Sequence, residues 1–133
     1  MKNEYIAGDL VKFATNTYTI VNFEENFLHN KICYAMISTN STKTAFVADR
    51  DILPISITPD ILKKNGWKKK MYCDWCHYLP IEGHILYLSK GIGIDGAFSV
   101  DVGQDMSYIA SISFVHQLQH LFFGLGLKSE MEV

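Results

Sequence analysis

With 133 residues, 48% of them hydrophobic and 20% charged, the chain is long enough to bury one core and too apolar for a disordered segment. A formal net charge of -2 excludes a global attraction to nucleic acid or to an anionic membrane. No apolar run approaches the roughly 18 residues of a membrane span, and MKNEYIAGDL lacks the apolar core of a signal peptide. Three cysteines are too few for a secreted disulfide framework, so the expected setting is a reducing cytoplasm.

The first third of the chain reads as short strands. DLVKFAT (9–15) alternates Leu10, Lys12 and Ala14 against Val11, Phe13 and Thr15, and YTIVNF (18–23) follows a polar turn. KICYAMIS (31–38) and KTAFVA (43–48) flank the loop Thr39-Asn40-Ser41-Thr42. Together they predict a small antiparallel sheet with barrel-like curl, interrupted at Pro54.

ITPDILKKNGW (57–67) predicts a short helix. Thr58 suits the N-cap, Pro59 the first helical position, and Asp60 the positive end of the dipole. Lys63 and Lys64 fit the last turn, and Asn65-Gly66 supplies a left-handed stop. Strands resume in MYCDWCHYL (71–79), HILYLS (84–89), AFSVDV (97–102) and SYIASIS (107–113), separated by glycine-bearing turns. Among these turns, GIGIDG (91–96) has the wrong spacing for a G-x-G-x-x-G phosphate loop and leads into a strand.

From Phe114 to Leu125 apolar residues recur at 114, 115, 118, 121, 122 and 125, which predicts a helix buried along Val115, Leu118, Phe122 and Leu125. His116 and His120 then project from the opposite, polar face. Their spacing in HQLQH has the frame of the zinc-protease signature, but Gln117 stands where the catalytic glutamate belongs and cannot take a proton from a metal-bound water. Neither a catalytic role nor a metal is assigned to this motif.

The fold class expected is α+β and mainly antiparallel: a barrel-like N-terminal sheet, then a second antiparallel sheet packed by the C-terminal helix. No Pro- or Ser-rich linker divides the chain, so residues 1–133 read as one compact domain, with 1–54 and 55–133 as its subdivisions.

Two stretches suggest binding chemistry. CDWCH (73–77) matches the C-x-x-C-H pattern of haem attachment, and C-x-x-C spacing also serves zinc ligation or thiol exchange, although no helix follows to supply a thioredoxin-like setting. In an extended strand, however, Cys73 and Cys76 point to opposite faces, so they read as ordinary strand cysteines and no cofactor is assigned. GWKKKMYCDW (66–75) interleaves Lys68, Lys69 and Lys70 with Trp67, Tyr72 and Trp75. Ammonium groups beside flat rings can hold a phosphate while the rings stack a base. Trp67, Lys68, Lys70, Tyr72 and Trp75 are therefore the candidate ligand-binding residues. Alternation along an extended strand would put Lys68, Lys70 and Tyr72 on one face.

Gly8-Asp9-Leu10-Val11 near the start, Pro54, Thr58-Pro59-Asp60 and Asn65-Gly66-Trp67 in the middle, and His116 to Gln119 with Phe122 and the Glu130–Val133 tail at the end form an ordered set. In this set the chain resembles a family of small proteins encoded in phages, prophages and mobile elements of gut Bacteroidetes bacteria. That family usually has asparagine where this chain has His120. The resemblance brings no established activity; it implies a small accessory protein working in the cytoplasm of a bacterial host.

The functional expectation is a non-enzymatic accessory protein that opposes host defence by sequestering a nucleotide-derived immune signal. Its partner would be a phosphorylated small molecule, bound by a homo-oligomer. The alternatives are a structural or regulatory module that binds a host protein, and a small zinc-binding module.

Overall fold

The computed structural model describes residues 5–26, 31–38, 43–71, 73, 75–81, 83–90, 97–103 and 107–133. The fold is α+β and mostly antiparallel, and the described residues form two five-stranded sheets and two α-helices. The chain forms two compact units: residues 1–55 with 114–130, and residues 56–113 with 131–133. The expected turns at 39–42 and 91–96 lie outside the described residues.

In the first unit, β1 (Leu10–Phe13), β2 (Asn16–Asn26), β3 (Lys31–Ser38), β4 (Thr44–Ala48) and β5 (Leu53–Pro54) form a sheet of order β4-β3-β2-β1-β5. The end strands β4 and β5 do not pair with each other among the described residues, so hydrogen bonding does not close this sheet into a barrel. β1 and β2 meet through Ala14 and Thr15, since Phe13 pairs with Asn16. Ala14 takes φ +54°, a left-handed conformation that a tight hairpin requires and a side chain disfavours. Period-two patterning buries Val11, Ile20, Tyr34, Met36, Val47 and Ile52 in one cluster with Tyr5.

The C-terminal helix α2 (Val115–Gly124) belongs to this unit and packs against β1. The expected packing of this helix on the second sheet is thereby corrected. The cause is polar: Gln119 Oε1 accepts from the Leu10 N–H at 2.9 Å, and Gln119 Nε2 donates to the Gly8 carbonyl at 3.0 Å. Val115, Leu118 and Phe122 are buried as their spacing predicts. Leu125 is not, at 45% exposed, because it is the C-cap and lies past the last helical turn.

In the second unit, β6 (Lys68–Lys69), β7 (Cys76–Ile81), β8 (His84–Lys90), β9 (Phe98–Val102) and β10 (Ser107–Ile112) form a meander of order β10-β9-β8-β7-β6. Helix α1 (Pro59–Lys64) is built as its sequence dictates. Thr58 Oγ1 accepts from the Ile61 N–H at 3.2 Å, and Gly66, at φ +88°, ends the helix. The N–H groups of Gly66 and Trp67 then return to the carbonyls of Lys63 and Leu62, a closure that seats Trp67 beside the buried Leu62.

The predicted strand 71–79 begins later than its composition suggests. The Lys70 N–H donates to the Cys76 carbonyl where β6 turns back into β7, and the strand runs from Cys76 through Pro80 to Ile81. Pro80 is tolerated because β6 pairs only with His77 and Tyr78, leaving that side of β7 without a ladder partner at position 80. One face of the sheet buries His77, Leu86, Leu88, Phe98, Val100 and Ile112. Among the described residues, no helix is long and apolar enough to cross a membrane.

Candidate binding face and the histidine helix

The antiparallel register carries one row of side chains across the second sheet. Lys68 pairs with Tyr78, Tyr78 with Tyr87, Tyr87 with Asp101, and Asp101 with Tyr108. Directly opposed residues share a face, so these five stand on the side away from the buried Leu88 and Val100. Lys70 joins them from the hairpin end, its Nζ 5.3 Å from the Tyr87 ring centroid. The Tyr108 hydroxyl shares a 2.8 Å hydrogen bond with Ser111 Oγ, which fixes the ring at the far side of the row. The tyrosines at 78 and 87 are half-buried, and Lys68, Lys70 and Tyr108 are exposed.

This face collects some of the residues that composition nominates and not others. Lys68 and Lys70 reach it. Trp67 is 3% exposed, held inward by the helix closure, and offers no surface for stacking. Trp75 is 45% exposed at the hairpin end, with Lys90 Nζ 4.4 Å from its ring centroid. Tyr72 lies outside the described residues. The rings that accompany the lysines are thus Tyr78, Tyr87 and Tyr108, which are remote from the lysine run in sequence. The only signal for them is aromatic placement on alternate positions of successive strands.

Cys73 and Cys76 are joined by a disulfide across the hairpin end, with their Cα atoms 5.3 Å apart. The reading of these residues as ordinary strand cysteines is therefore corrected. A turn brings their side chains to the same side, where an extended strand would have separated them. As partners in a disulfide they are not thiolate ligands for zinc. Among the described residues, no group of three or more His, Cys, Asp or Glu side chains is placed to hold a metal ion.

The HQLQH helix is not the polar outer surface that its pattern suggests. His116 is 6% exposed and Gln119 3%. The His116 ring stacks on Phe114 at 5.9 Å and meets Tyr5 edge-on at 5.0 Å. Burial holds its pKa below the usual 6.5; Asp9 acts in the opposite direction and His120 adds to the lowering. His120 Nε2 donates to the buried carboxylate of Asp9, 2.9 and 2.8 Å from its two oxygens. Asp9 also accepts from the Ile6 N–H at 2.9 Å. Gln119 Nε2 donates further to the Ser129 carbonyl at 3.1 Å. Asp9, Gln119, His120 and Ser129 line a cavity of about 330 Å³ with Ile6, Ala7, Gly8 and Phe123; His116 is not part of it.

A larger, open depression of about 570 Å³ lies at the β7–β8 turn, lined by Pro80, Ile81, Gly83, His84, Ile85 and Gly103. Among the described residues, His84 is the one titratable group that lines it, and no lysine or arginine does. Comparison of the chain with protein-family models, with curated proteins and with solved structures gives no match.

Proposed function

We propose that the protein is a non-enzymatic binding protein whose tyrosine- and lysine-bearing sheet face captures a phosphorylated, ring-containing small molecule. The observation that carries this reading is the row Lys68–Tyr78–Tyr87–Asp101–Tyr108, with the Lys70 ammonium over Tyr87. Two cations can neutralise phosphate charge while tyrosine rings stack a base, and Asp101 can accept from ribose hydroxyls or an exocyclic amine. Binding rather than turnover is favoured because Asp9 and His120, the ionisable pair nearest to a catalytic arrangement, are engaged with each other and with the Ile6 N–H. The resemblance to phage and mobile-element proteins supplies the context: a cytoplasmic accessory protein, assembled as a homo-oligomer, that removes a nucleotide-derived defence signal of its host.

Calorimetric titration with cyclic nucleotides and ADP-ribose-type ligands tests this. Binding should weaken with added salt, and Lys68→Ala with Lys70→Ala should cost about 1–3 kcal/mol. Absence of binding by every nucleotide at micromolar concentration would remove the reading. A protein-partner module is the second reading. It is favoured by large apolar side chains exposed on the first sheet, Phe23 at 50% and Phe46 at 64%.

A further inference from the structure

We propose that Cys73 and Cys76 form a thiol–disulfide exchange site, and that its redox state sets the hairpin end of the binding face. The proposal rests on the ligand-binding reading of that face and assigns its regulation. The bond spans a sequence separation of three. The entropic gain from closing a loop grows with its length, so this bond constrains little beyond its own turn and is a poor staple for the fold. Both cysteines are partly exposed, which leaves the bond open to an attacking thiolate. Disulfides of reducing compartments are typically transient, acting in catalysis or redox sensing.

The turn that the bond closes carries side chains of the face. The Lys70 N–H donates to the Cys76 carbonyl at 2.7 Å, the Cys73 N–H to the Lys70 carbonyl at 3.4 Å, and the Cys76 N–H to the Cys73 carbonyl at 3.4 Å. Lys70, just before this turn and hydrogen-bonded to both of its ends, reaches Tyr87, and Trp75 within the turn meets Lys90. The co-reactant is a dithiol. One of its thiolates attacks a protein sulfur, the Cys73–Cys76 bond breaks, and a mixed disulfide forms. Its second thiolate then displaces the protein sulfur, and the reagent leaves as its own disulfide. Two electrons pass to the protein, and Cys73 and Cys76 take up two protons. The opened turn no longer holds Lys70 and Trp75, and affinity for the phosphorylated ligand falls.

The test equilibrates native protein in mixtures of reduced and oxidised dithiothreitol, alkylates it, and measures the mass. Reversible gain of two alkyl groups at Cys73 and Cys76 in folded protein is expected. A bond that resists reduction until the chain is denatured, or two free thiols in protein purified in air, would overturn the proposal. A second arm follows backbone amide shifts, which on reduction should move at residues 68–76 and 87–90; unmoved shifts would sink the coupling of bond to face. A third arm titrates ADP-ribose. Reduction, or Cys73→Ser with Cys76→Ser, should weaken binding several-fold while Cys33→Ser leaves it unchanged. Equal affinity in both states would also contradict the proposal. If ADP-ribose binds in neither state, the ligand reading fails, and the alkylation and amide-shift arms still decide the redox site.

Discussion

His120 grips Asp9 across 111 residues of chain, its Nε2 lying 2.8 Å from a carboxylate that is 2% exposed. This contact and the Gln119 hydrogen bonds to Gly8 and Leu10 join the start of the first unit to its terminal helix. His120→Ala should therefore destabilise the protein by about 1–3 kcal/mol, with the low end set by solvent at a histidine side chain that is 34% exposed. Removing Asp9 as well should add less than its separate cost, because the two side chains share one interaction. Denaturant unfolding of the single and double variants measures this; full additivity would show the pair to be uncoupled.

Stability should fall in mild acid. Burial lowers the pKa of His77, with Lys69 adding to the effect, and burial also lowers that of His116. When the folded pKa lies below the unfolded value, the unfolded chain takes up the proton first as pH drops. Stability is thus untouched by these groups above about 6.5 and declines below it, by at most ~1.4 kcal/mol per pH unit for each histidine. His116→Phe fits the aromatic surroundings and should flatten the curve below pH 6.5. An unchanged slope would contradict a neutral buried His116.

The two ends of the apolar stripe on α2 should respond differently. Leu118 is fully buried, and Leu118→Ala should cost about 2–5 kcal/mol. Leu125→Ala, at a half-exposed cap position, should stay within about 0.5 kcal/mol. Thermal and denaturant unfolding of the pair separates the assignments, and equal losses would place Leu125 in the core.

Ala14 offers a stabilising change. Its φ of +54° suits glycine better than alanine, so Ala14→Gly should raise stability by about 0.5–1 kcal/mol. A loss of stability would mean that the unfolded-state entropy of glycine outweighs the relieved turn.

Local rules made much of the fold legible. Thr58, Pro59 and Asn65-Gly66 mark both ends of α1, and the spacing of Val115, Leu118 and Phe122 marks the buried side of α2. The rest depends on partners distant in sequence. His116 and Gln119 look like a polar outer face until Tyr5, Gly8 and Leu10 arrive from the other end of the chain. Lys68 and Lys70 are visible as cations, but Tyr78, Tyr87 and Tyr108 join them only through strand register. Trp67 resembles a stacking ring in sequence because its neighbours are lysines, but the helix closure turns it inward. The Cys73–Cys76 bond needed a turn that strand-like composition concealed.

The most direct test of the binding face is an amide and tyrosine-ring chemical-shift map of the protein titrated with ADP-ribose and cyclic nucleotides. Perturbations should cluster at Lys68, Lys70, Tyr78, Tyr87, Asp101 and Tyr108, and should vanish in the Lys68→Ala/Lys70→Ala variant. Perturbations confined to the Asp9–His120 cavity, or none with any nucleotide, would contradict it.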